Sequence, residues 1–161
     1  MAIRLEAQEK YMRLAIAKAQ EGIAKGQTPF GACIVKDEAI LSCAHNAVWD
    51  TTDITAHAEI CAIREACRNT RSISLEGSVI YSTCEPCPMC FSACHWARVE
   101  VIVYGAGIAD AQKAGFHELA ISDLQMKDLG RSPLTIIPGF LAGECVALFD
   151  LWSRQETKKA Y

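Results

Sequence analysis

No excess of basic charge runs through this sequence: 16 Lys and Arg stand against 19 Asp and Glu, a formal net charge of −3. The bulk cationic footprint by which a domain holds a nucleic-acid backbone is missing. That weighs against nucleic acid as a partner and towards a small substrate. Long apolar runs are missing too, and none approaches the ~20 residues that span a bilayer. The opening "MAIRLEAQEKYMRLAIAKAQ" scatters charges through its apolar positions, so it holds no apolar core of a secretory signal. Repeats, low-complexity segments and linkers are also lacking. With 161 residues, 51% of them hydrophobic and 22% charged, the expectation is a single domain over residues 1–161 with one sizeable core, in the cytoplasm and away from membranes.

Cysteine, by contrast, is plentiful: nine residues, at 33, 43, 61, 67, 84, 87, 90, 94 and 145. The odd count and the apolar surroundings of most of them argue against a disulfide scaffold. Free buried cysteine packs as a small hydrophobe, and a reducing compartment keeps it so. Cys33, Cys43, Cys61, Cys67 and Cys94 are read as core.

Periodicity sketches the elements. Leu5, Met12, Ile16 and Ala19 share one side of a helical period, with Arg4, Glu9, Arg13 and Lys18 between them, a surface helix that ends near Gly22 or Gly26. "GACIVK" and "AILSCAH" flank "DE" as a hairpin. After "NAVWDTTDIT", a polar loop, residues 57–68 carry apolar side chains at helical spacing. "SVIYST" and "VEVIVYGA" are buried strands around a helix "PMCFSACHWAR" that begins at prolines, which suit a first helical turn. "PLTIIPG" is a last strand and residues 141–157 a closing helix, while residues 106–133 show little periodicity. Helix and strand alternate through the middle, which predicts an α/β sheet with helices on its faces.

One constellation carries chemistry. Cys87 and Cys90 form a C-x-x-C whose second thiol lies one helical turn beyond the first. A helix beginning at Pro88 aims its free N–H groups at the sulfurs and eases their deprotonation. His57 is a third ligand and Glu59 a proton carrier. Three protein ligands leave zinc an open position, where bound water drops from a pKa of about 15.7 towards about 7. A redox dithiol is disfavoured, because it would not need His57–Ala58–Glu59. The bland alternative is a structural zinc whose fourth ligand is Cys84, in a module that binds partners and catalyses nothing.

An H-x-E followed by P-C-x-x-C across a strand is the signature of zinc deaminases that act on nucleobases. With "TPFGACIV", "AHN", "TAHAEICAIREAC", "YSTCEPCPMCFSACHWAR" and "VIVYGA" in order over residues 28–106, the chain resembles the cytidine/deoxycytidylate deaminase superfamily. The resemblance implies a three-layer α/β/α sandwich with a mixed five-stranded central sheet. It implies one zinc per chain on His57, Cys87 and Cys90, with Glu59 as proton shuttle. Asn46 matches the asparagine that bonds the substrate ring and Phe30 the aromatic flanking the base, while the backbone at Ala58 faces the reacting oxygen.

Within the superfamily, "PFGA", "EPCPMC", "HWAR" and the ending "LWSRQETKKAY" look most like small bacterial guanine deaminases, with Trp96 beside Phe30 shaping a flat slot. That group implies a free purine substrate, guanine first, and a homodimer. It also implies a C-terminal tail, about residues 153–161, that closes over an active site, its own or an exchanged partner's, with Tyr161 on the lid. After Ala-Gly-Phe, two acidic residues are usual; here His117 and Glu118 stand there. Guanine's N1–H and 2-amino groups are donors, so a carboxylate such as Glu118 suits it. "GFLAGECVALF" is similar to tRNA adenosine deaminases, which keeps adenosine-to-inosine editing as the alternative. A cytosine, nucleoside or other aminoheterocycle also fits the zinc chemistry.

Overall fold

The computed structural model describes residues 5–161, with side chains from residue 9 onward, so the expectations for Arg4 and the side chain of Leu5 lie outside the described residues. The sheet starts from a hairpin. Strands β1 (Gly31–Lys36) and β2 (Ala39–His45) pair antiparallel. Their two-residue connection takes left-handed backbone at both Asp37 (φ 49°) and Glu38 (φ 64°), the twist that a tight hairpin demands. Strand β1 also pairs antiparallel with β3 (Val79–Cys84); β3 runs parallel to β4 (Val101–Ala106), and β4 to β5 (Thr135–Ile137). The order is β2-β1-β3-β4-β5, a mixed five-stranded sheet. All six residues of β4 are buried, which explains its unbroken apolar run: helices cover both faces.

Helices α1 (Leu5–Ala24) and α7 (Ala142–Ser153) pack together on one face. On the other lie α3 (Ala58–Thr70) and α4 (Pro88–Trp96). Met12, Ile16 and Ala19 of α1 are buried, as their spacing predicts. No described helix is long and apolar enough to cross a membrane.

Three short helices depart from the sequence expectation. The "polar loop" contains a single turn, α2 (Val48–Thr51), and residues 106–133 hold α5 (Ile108–Lys113) and α6 (Asp123–Gly130). Each buries only one or two side chains, so no apolar stripe announces it. The local signal was a cap: the Ser122 hydroxyl accepts from the Gln125 amide, and the Gln125 side chain bonds back to Ser122.

Gly31 marks where α1 presses on β1. A Cβ there would overlap the Ala15 carbonyl oxygen and the Ala19 amide, both backbone atoms that cannot swing aside. Gly31→Ala is expected to cost about 3 kcal/mol, read as a lower midpoint in urea denaturation. An unchanged midpoint would mean that α1 does not sit this close.

Candidate active site

Two helix starts meet at the end of β3. His57 is the N-cap of α3 and Cys87 the N-cap of α4; both have extended backbone, and neither side chain caps its own helix. Both are thus free to turn towards each other. Pro88 sits in the first turn of α4, and Cys90 follows in that turn. The His57 Nδ1 atom lies 3.7 Å from Cys87 Sγ and 3.6 Å from Cys90 Sγ, and the three ligand atoms all fall within 4.8 Å of one another. Tetrahedral zinc, with Zn–S of about 2.3 Å and Zn–N of about 2.0–2.1 Å, sets sulfur and nitrogen about 3.6 Å apart. The donor set and its spacing therefore fit zinc. Cys84 is not in the cluster; its thiol points to the Gly107 carbonyl at 3.7 Å. Among the described residues the cluster offers three ligands, the number of an open site rather than a closed one.

The cluster is arranged to carry negative charge. The Cys90 thiol donating to Cys87, together with His57, pulls Cys87 well below the usual thiol range against its burial. Burial lowers His57, but its bond to Cys87 and the Glu59 carboxylate outweigh that and raise it.

Glu59 is 5% exposed, in the first turn of α3. Its Oε1 lies 2.6 Å from Ser82 Oγ and its Oε2 3.4 Å from Cys90 Sγ. Burial pushes its carboxyl above the ordinary range, although His57 and Ser82 pull the other way. Ser82 Oγ also lies 2.7 Å from the Cys84 carbonyl. The hydroxyl has one proton and two acceptors at bonding distance. Both bonds form together only when Glu59 itself holds a proton and donates it to Ser82. The direction of this hydroxyl is thereby coupled to the proton on Glu59, which suits a group that must take up and release one.

The remaining site residues close the pocket. Asn46 is fully buried; its Oδ1 accepts from the Val48 amide at 3.0 Å, which turns Nδ2 into the pocket. There Nδ2 donates to the Tyr161 hydroxyl at 2.5 Å. Phe30 lines the wall, edge-on to Phe116 at 5.0 Å. Tyr161 lies with its ring 5.5 Å from that of His57 and edge-on to Phe116 at 5.6 Å. The tail is tied down beside it, with Trp49 Nε1 donating to the Lys159 carbonyl (2.9 Å) and the His117 amide to the Tyr161 carbonyl (3.0 Å). The tail thus folds over its own chain's pocket and leaves about 20 Å³, room for about one water. Glu118 lines the same pocket; burial, then the Cys87 thiolate, pushes its carboxyl up to about 7. Ala58 is wholly buried between His57 and Glu59.

Trp96 is not brought to the site. It is 82% exposed at the far end of α4, on a separate open groove with Ile73 and Leu134. Six residues beyond Cys90, it is rotated by about 240° and displaced by about 9 Å along the helix, so it cannot face the pocket that Cys90 faces. Sequence reasoning in turn missed Ser82 and Glu85. The Glu85 carboxylate accepts from the Ile108 amide (3.1 Å) and the Asp123 amide (2.9 Å), pinning the starts of α5 and α6 to the pocket rim. Its place beside Pro86–Cys87 was the available signal for Glu85, and two-residue alternation along β3 that for Ser82.

A family model described as the cytidine and deoxycytidylate deaminase zinc-binding region matches residues 5–106. The chain belongs to that family. This deaminase is 38% identical over 154 residues to the guanine deaminase of Bacillus subtilis, covering 95% of this chain and 98% of that one. To the tRNA-specific adenosine deaminase of the same species it is 34% identical over 151 residues, covering 94% and 91%. A solved protein in complex with 2,6-diaminopurine superposes with a TM-score of 0.86 at 25% identity, over 92% of the deaminase and 82% of that chain. Fold and family are therefore secure, while the relatives divide between a free base and a tRNA.

Proposed function

We propose that this deaminase hydrolyses free guanine to xanthine and ammonia. The observation that carries the reading is Glu118, a carboxylate in the same pocket as Glu59 and the His57–Cys87–Cys90 cluster. An acceptor there matches the donors on guanine's edge, and adenine would leave it unpaired. The 38% identity to a guanine deaminase, which extends through nearly the whole chain, supports the same choice. One zinc per chain on His57, Cys87 and Cys90 supplies Lewis acidity that makes water nucleophilic at neutral pH.

The chain's own residues do the rest. Phe30 holds the flat face of the base, and the Asn46 amide donates to an acceptor on the ring. Glu118 accepts from N1–H. Glu59 takes one proton of the attacking water and hands it to the ring nitrogen beside the amino-bearing carbon; it then takes the second proton from the hydroxyl now on that carbon and delivers it to the amine as the C–N bond breaks. Tyr161 must lift for the base to enter, since the present space is far too small. When it closes again, the tail keeps bulk water out.

A homodimer, adopted from the family resemblance, has a candidate face in the exposed Ile73 and Trp96. The reading is tested by ammonia release from guanine with zinc-loaded protein. Release that disappears in Glu59→Gln is the expected result. No release from guanine, with inosine formed in an anticodon stem-loop, would replace it with the tRNA reading.

A further inference from the structure

We propose that Cys33 and Cys43 form a reversible redox pair, closed to a cross-strand disulfide by a hydroperoxide. The two residues stand directly opposite each other on β1 and β2. Opposed residues of an antiparallel ladder have Cα atoms about 4.5 or 5.5 Å apart, inside the roughly 4.4–6.8 Å that a disulfide spans. Their sulfurs lie 2.7 Å apart, both as free thiols. Closing the bond therefore needs no movement of backbone.

The pair is also chemically unequal. Cys33 is 0% exposed, whereas Cys43 is partly open to solvent. Once deprotonated, the Cys43 sulfur accepts from the Cys33 thiol; this outweighs the burial that raises Cys43, and the Lys18 ammonium on α1 adds its attraction, so Cys43 loses its proton more readily than an ordinary thiol. The Glu65 carboxylate on α3 opposes this more weakly. Cys33, bonded to that sulfur and buried, keeps its proton. Cys43 is thus the sulfur that attacks and Cys33 the one that resolves. Cys61, Cys84 and Cys145 instead meet a carbonyl, a carbonyl and a thioether, and burial raises all three.

The chemistry balances in two steps. The Cys43 thiolate attacks one oxygen of the hydroperoxide, the O–O bond breaks, and an alkoxide or hydroxide leaves; sulfur is oxidised by two electrons to the sulfenic acid. Cys33 then attacks that sulfur, its S–O bond breaks, and hydroxide leaves with the Cys33 proton as water. A thiol reductant reverses the bond. The tie would lie on the edge strand, three residues before Asn46, and next to the irregular register between Ile34 and Val35. It would clamp the hairpin where its own ladder is interrupted.

The experiment treats the zinc-loaded full-length protein with hydrogen peroxide, counts free thiols in denaturant and maps cross-linked peptides by mass spectrometry. Two of the nine thiols are expected to be lost, with a Cys33–Cys43 linkage, recovery in dithiothreitol, and a thermal midpoint higher by about 5 °C in the oxidised form. Cys43→Ser, at the partly exposed position, should abolish both the linkage and the shift; Cys33→Ala should do the same and leave a sulfenic acid on Cys43 that dimedone traps. A linkage to any other cysteine, a trapped Cys43 sulfenic acid in the unsubstituted protein without linkage, or an unchanged thiol count would overturn the proposal. Because the peptides assign Cys87 and Cys90 separately, the result does not depend on the deamination reading.

Discussion

Glu59→Gln is expected to keep zinc bound and to lose about 10⁴-fold in kcat, the upper end of what a positioned acid–base group contributes. The upper end applies because one carboxyl serves two proton transfers, to the ring and to the leaving amine. Glutamine has the same shape and still accepts at Oε1 from Ser82, which lies 2.6 Å from the present carboxyl. None of the three proposed ligands is touched, so metal content by elemental analysis should stay unchanged. What glutamine lacks is the ability to carry a proton. Turnover within about tenfold of the unsubstituted enzyme would remove Glu59 from the mechanism and leave its burial at 5% exposure without a catalytic purpose.

Glu118→Gln is expected to lower kcat/KM for guanine by about 10²-fold, since hydrogen bonds to a charged group contribute about 1.5–3 kcal/mol. The sign of the pH dependence follows from the raised pKa. Burial holds the Glu118 carboxyl up to about 7, so below that pH it gains a proton and stops accepting from N1–H. The kcat/KM for guanine should therefore fall as pH drops through this value. A bound zinc cation attracts the carboxylate and shifts the transition lower. In Glu118→Gln this limb should disappear, because glutamine does not titrate. An unaltered acid limb would assign it to another group, and an unaltered kcat/KM would remove Glu118 from base recognition.

Local chemistry made much of this protein legible from its residues alone. The hairpin followed from two β-rich segments around a two-residue turn, and the start of α4 from Pro88. Cys87 and Cys90 converge because the first caps α4 and the second lies in its first turn. Such spacing is set within a few residues, where bond geometry leaves little freedom. The short helices α5 and α6 escaped because their burial is too sparse to imprint a period.

Only the tertiary structure decided which distant segments share the pocket. Asn46 and Tyr161 are 115 residues apart yet hydrogen-bonded, and Ser82 reaches Glu59 across 23. Cys33 and Cys43, each readable only as core, became a pair once the register set them opposite each other. Trp96 lies six residues from a proposed ligand and still faces away. The residue types and their local spacing determined what chemistry the chain can perform. Sheet order, helix rotation and the path of the tail decided which side chains meet, because the packing that fixes them sums over contacts that no short stretch of sequence contains.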